Sequence, residues 1–153
     1  MPRSGLCGSL ADMVHVDDPT VVRRLLTTPG TWAVVGLSGN RSRAAYGVAA
    51  YLQDLGHRIV PVHPRAETVH GAPGVRTVAE AVALAGPVDV VDVFVNSALA
   101  GDVVDQAVAA GARAVWLQLG VVDESAAARA AAAGLDVVMD ACPAIEGRRL
   151  GLG

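Results

Sequence analysis

Ser38, Asn40, Arg41, Ser42 and Arg43 crowd hydroxyl, amide and guanidinium groups into one short stretch, W-A-V-V-G-L-S-G-N-R-S-R from Trp32 to Arg43, which Gly36 and Gly39 interrupt. Glycine lets backbone approach a ligand closely. Hydroxyls and amides donate hydrogen bonds, and guanidinium groups make charge-assisted bonds to oxyanions. The chemistry on offer is capture of a phosphate or pyrophosphate. The four histidines, His15, His57, His63 and His70, show neither nucleophile nor metal-ligand spacing around this stretch.

The elements that must position these groups can be read on either side. Trp32–Val35 is a short apolar run, and Val48, Tyr51, Leu52 and Leu55 resume with helical spacing after Arg43. A strand, a tight turn and a helix follow from that pattern. The first N–H groups of such a helix have no intrahelical partner, and its dipole puts partial positive charge there, so the turn is an anion site. Asn40 or Ser42 is expected to cap the helix. The turn is not G-x-G-x-x-G, because Ser38 stands two after Gly36, and no Gly-Lys-Ser/Thr marks a P-loop. An ordinary strand-to-helix turn would use the same glycines for geometry alone.

The chain has 153 residues, the size of one domain, and is 52% apolar but only 3% aromatic. A core of Val, Ala and Leu favours helices stacked on a parallel sheet. A net charge of −3 without a Lys/Arg run argues against nucleic acid as partner. Cys7 and Cys142 form no disulfide framework or metal motif, no apolar leader precedes Cys7, and no long apolar run could span a membrane. A cytoplasmic location is expected. Residues 1–16 read as a flexible N-terminal arm and 17–153 as the folded, ligand-binding domain. A short helix from Asp17 or Asp18 ends before Pro29–Gly30, with Val22, Leu25 and Leu26 on one face, and is expected to cap the sheet.

Four further segments repeat one pattern, a helix-ending glycine with an apolar strand close behind, at Gly56, Gly86, Gly111 and Gly134. Thr77 and Glu80 make a capping box, Ser97 is placed to cap the next helix, and Asp123 or Ser125 the alanine-rich one. The alternation predicts an α/β fold: a single Rossmann-like, doubly wound, parallel five-stranded sheet with helices on both faces, for which we expect the order 3-2-1-4-5. Ligands of such sheets sit beyond the carboxyl ends of the strands. The loops Gly36–Ser42, Val62–Val69, Phe94–Ser97, Gln118–Val122 and Asp140–Glu146 therefore define the candidate site.

After the second strand, Val62-His63-Pro64-Arg65 lacks the acid that holds a nicotinamide ribose until Glu67. His63 and Arg65 suit a phosphorylated ribose instead. Two ligands remain on this reading, NADP with its 2′-phosphate and coenzyme A with its 3′-phosphate. Asp89 and Asp92 are expected on opposite faces of the third strand, and Asp140 or Glu146 flanks the site as a potential base.

Five motifs in order, Gly36-Leu-Ser-Gly-Asn-Arg-Ser-Arg43, Ile59-Val-Pro-Val-His-Pro64, Val88-Asp-Val-Val-Asp-Val-Phe94, Trp116-Leu-Gln-Leu-Gly-Val121 and Val138-Met-Asp-Ala-Cys-Pro143, resemble the stand-alone CoA-binding proteins. Those proteins are similar to the N-terminal CoA-binding domain of the succinyl-CoA synthetase alpha subunit. The resemblance runs from Trp32 to Leu150. It implies coenzyme A as the cofactor, with Gly36, Ser38, Asn40, Arg41 and Ser42 at its phosphates and Pro64 and Arg65 at the adenosine and 3′-phosphate. Val95 and Asn96 would line the adenine side, and Gln118 and Gly120 would border the pantetheine arm. Where relatives often carry Arg after Phe94, this chain has Val95-Asn96-Ser97.

The resemblance further implies a CoA or acyl-CoA carrier or sensor rather than a ligase, since the phosphohistidine domain of the synthetases would begin where this chain ends. Cys142, in the last of the site loops, could form a mixed disulfide with CoA under oxidising conditions, which would link binding to redox state. An NADP(H)-binding oxidoreductase or redox sensor is the alternative. The apolar composition suggests a homodimer.

Overall fold

The structure, a computed structural model, describes residues 17–153. The expected arm at residues 1–16, with Cys7, lies outside the described residues. Alternation of helix and strand runs α1 (Pro19–Thr27), β1 (Thr31–Val35), α2 (Ala44–Asp54), β2 (Arg58–Val62), α3 (Val78–Ala85), β3 (Val90–Val93), α4 (Ser97–Ala109), β4 (Ala114–Leu117), α5 (Glu124–Ala132), β5 (Asp136–Val138) and α6 (Pro143–Arg149). The strands form one parallel sheet, and nearly every strand residue is buried, as the continuous apolar runs require.

The strand order is β2-β1-β3-β4-β5, not 3-2-1-4-5. The expected order placed the third strand outside β2. That place is taken by Val75, which makes a single parallel bridge: its N–H donates to Pro61 O at 2.9 Å and its C=O accepts from His63 N–H at 3.0 Å. The Val88–Phe94 segment crosses instead to the other side of β1, pairing Trp32 with Val90 and Val35 with Val93. The crossovers diverge between β1 and β3, so the ligand crevice of a doubly wound sheet lies there.

Side chains alternate along the strands into two apolar layers. Ala33, Val35, Val91, Val93, Val115 and Leu117 pack under α3, α4 and α5; Trp32, Val34, Val90, Trp116 and Val138 pack under α1, α2 and α6. On the second face Trp32 and Trp116 meet with ring centroids 5.6 Å apart, and Trp116 Nε1–H donates to Ala141 O at 3.0 Å. Val22 and Leu26 bury α1 against this layer, as the expected cap on the sheet.

Local signals set the helix ends. Asp18 accepts Thr20 N–H ahead of Pro19, Thr77 accepts Glu80 N–H at 3.0 Å, and Asp123 accepts Ala126 N–H at 2.9 Å. Glu80 reaches back to Arg76 N–H at 2.8 Å, one residue before the cap. Ser97 does not cap α4. It is the helix's first residue, after Asn96, and its Oγ instead accepts Val122 N–H at 3.0 Å, tying α4 to the loop after β4.

Candidate functional site

Gly36 ends β1 with φ +100°, and a Cβ there would stand 3.1 Å from Phe94 Cβ, so the turn can pass close over β3 only with glycine. Gly36 N–H donates to Val62 O at 2.8 Å, which fixes the root of the loop to β2. Beyond it, neither Asn40 nor Ser42 caps α2. Asn40 Oδ1 accepts both Ser42 N–H at 3.0 Å and Ser42 Oγ–H at 2.7 Å, closing a turn inside the loop, and the N-cap residue of α2 is Arg43, which makes no side-chain cap bond. The reason is reach: the turn consumes the side chains that the sequence offers as caps. The first amides of α2 are left for another acceptor.

Gly36, Ser38, Asn40, Arg43, His63 and Arg65 line a cleft of about 180 Å³. The structure thus brings the β1 loop and the β2 loop to one place. Arg43 lines the cleft, whereas Arg41 lies over the ring of Tyr46, 5.8 Å from its centroid, outside that lining. Pro64 and Arg65 are exposed, and Arg65 N–H donates to His63 Nδ1 at 3.1 Å. Glu67 was not singled out in the sequence as a site residue. Its Oε1 accepts Gly39 N–H at 2.6 Å, and its Oε2 lies 3.7 Å from the Arg65 guanidinium. A carboxylate already sits on a loop amide, which the acid's position five residues after β2 could have signalled.

The other site residues lie along the same sheet edge. Val95 and Asn96 follow β3, half-buried and exposed respectively; Gln118 and Gly120 follow β4. Gln118 is buried and its Nε2–H donates to Asp92 Oδ1. Gly120 N–H donates to Asp140 Oδ1 at 2.7 Å, and Asp140 holds φ +58°. Asp140 and Glu146 are both engaged, the latter with Arg149 at 3.2 Å. Cys142, the N-cap residue of α6, is half-buried and lines a separate cavity of about 630 Å³ with Leu119, Asp140, Ile145 and Glu146. It stands at the end of β5, three strands from the Gly36 loop.

The remaining candidates have structural roles. His70 Nε2 bonds Tyr46 O at 2.7 Å, and His57 is buried between Gly30 N–H and Leu26 O, its pKa lowered by desolvation. Asp89, at the far end of β3, accepts Thr31 N–H at 2.8 Å and does not meet Asp92. Another cavity, of about 330 Å³, opens at that opposite edge. Its Arg24 and Arg113 are paired with Asp136 and Asp89, which leaves no net positive charge there for an anion. Among the described residues no cluster of His, Cys, Asp or Glu is placed to hold a metal, and no helix is long and apolar enough to cross a membrane.

Fold and site together define a Rossmann-like α/β protein with a cationic, glycine-bearing cleft at the C-terminal ends of β1 and β2. Residues 30–148 match the CoA binding domain family, and the chain belongs to that family. It is 34% identical over 121 residues to the uncharacterized protein YneT of Bacillus subtilis, covering 79% of this chain and 87% of that protein. A hypothetical protein of Pyrococcus horikoshii has the same fold, with TM-score 0.79, 31% identity and coverage of 98% of this chain and 99% of that one. The fold also recurs in the dinucleotide forming acetyl-coenzyme A synthetase 1 of Ca. Korarchaeum cryptofilum, with TM-score 0.65 and 23% identity, over 78% of this chain and 28% of that enzyme.

Proposed function

We propose that the protein binds coenzyme A or an acyl-CoA at the cleft between the β1 and β2 loops, as a carrier or sensor without catalytic activity. One observation carries the reading: in a member of the CoA-binding domain family, Gly36, Ser38, Asn40, Arg43, His63 and Arg65 converge on one cleft at the C-terminal edge of β1 and β2. The donor set fits an anion, since Gly39 N–H already bonds a carboxylate and the amides at the start of α2 carry no side-chain cap. The diphosphate would lie on the Gly36–Arg43 loop and the 3′-phosphate by Arg65. The arm would run across β3 and β4 toward Cys142, whose thiolate could displace one CoA thiolate from CoA disulfide and retain the other as a mixed disulfide.

Family membership and the absence of a G-x-G-x-x-G turn favour CoA over NADP. Calorimetric titration tests the assignment. Arg43→Ala should weaken CoA about tenfold, near 1.4 kcal/mol, and Arg65→Ala should weaken CoA by a similar factor but leave dephospho-CoA unchanged. Equal losses for both ligands in Arg65→Ala would remove that residue from the 3′-phosphate. The exposed Leu99, Leu119 and Val122, near the Ser97 tie, support the expectation of a homodimer, which gel filtration tests.

A further inference from the structure

Asp92 is a costly residue for its position. It lies within β3, fully buried, with Val34 and Trp116 as register partners, on a face whose other inward residues are apolar. Its Oδ1 accepts Gln118 Nε2–H, and no described residue reaches its Oδ2. Burial pushes the carboxyl up to about 8, so at neutral pH it is mainly the uncharged acid. A buried polar group with half its capacity unused destabilises a sheet that a valine would serve as well. Among the described residues it caps no helix and pairs with no cation.

Its one partner suggests why it is there. The Gln118 main chain is held at the edge of the sheet, with its N–H on Val93 O at 3.2 Å and its C=O accepting Val121 N–H at 2.8 Å. What remains undetermined is the side-chain amide, and Asp92 removes that freedom by taking Nε2. The other end of the amide, Oε1, is then the acceptor available where the chain turns out to exposed Leu119 and Gly120.

We propose that Asp92 is a positioning residue acting through Gln118: by holding Nε2 it presents Oε1 as an acceptor for an N–H of the ligand's amide-bearing arm. The inference rests on the CoA reading. With phosphates on the β1 loop, the 3′-phosphate toward His63 and Arg65 and the adenine side at Val95 and Asn96, the end of β4 is the edge left for the pantetheine arm, whose amides carry N–H donors.

Titration of the full chain with CoA and with adenosine 3′,5′-bisphosphate, which lacks the arm, tests it. Asp92→Val should lower CoA affinity about tenfold and leave the bisphosphate unchanged. Asp92→Asn keeps an acceptor oxygen and should match the parent on both ligands. Gln118→Leu should reproduce the Asp92→Val loss, and the double variant should lose no more than either single one. If Asp92→Val does not fold, Asp92→Ala removes the same acceptor. Equal loss on both ligands, or undiminished CoA binding in the variant lacking the acceptor, overturns the inference while the CoA reading stands. A parent protein that binds neither ligand overturns that reading and the inference with it.

Discussion

At Gly39 the loop amide already carries an anion, the Glu67 carboxylate, and an incoming phosphate must meet it as a like charge. Glu67→Gln should therefore tighten CoA about threefold at low salt, with the gain shrinking as salt screens the pair; unchanged affinity would mean that the carboxylate swings clear at no cost. Asp92 contributes at the same scale through its protonation. Its folded pKa, about 8, stands above the unfolded 3.8, so its stabilising contribution is complete below pH 3.8 and is lost progressively as pH rises toward 8. Asp92→Asn should remove that loss, so urea denaturation should show the variant gaining on the parent between pH 5 and pH 8; parallel curves would contradict the raised pKa. That Ser38, Asn40 and an arginine of this stretch face one cleft was legible from residue types. Which arginine lines the cleft was not, because Arg41 and Arg43 differ only in how the Asn40 turn rotates them. Glu67 stayed hidden because it contacts Gly39 across a loop.

Among the elements, the helix starts separate signals that act locally from those that tertiary contacts reassign. Thr77 and Asp123 cap as their spacing predicts, because each has its acceptor within one turn of the amide it serves. Asn40, Ser42 and Ser97 are drawn to other partners. Thr77→Ala should cost about 1 kcal/mol by denaturant titration, and no change would show that Glu80 and Arg76 hold α3 alone. The stop signals were fully legible: Gly56, Gly86, Gly111 and Gly134 all hold positive φ just before a strand. The β1 and β2 loops could be placed on one edge from sequence, because parallel strands leave their C-terminal ends together. Their meeting in one cleft depends on the Gly36–Val62 bond, which no local pattern announces.

For the whole molecule, the sequence carried the fold class but not the strand order. Periodicity tells strand from helix; the side of β1 on which β3 inserts depends on the segment from His63 to Val75, which supplies a single bridge where a full strand was expected. The consequence for function is a crevice at the β1/β3 divergence with the Gly36 loop on its rim and the ends of β3, β4 and β5 in succession beyond it. Such an edge can take an elongated ligand with its phosphates at one end and a thiol at the other. The most direct test is native mass spectrometry of the purified protein with equimolar CoA, NADPH and NADH. The account predicts a CoA adduct that dominates and that weakens in Arg43→Ala. An NADPH adduct without one of CoA would contradict it and would make Arg65 a reader of the 2′-phosphate.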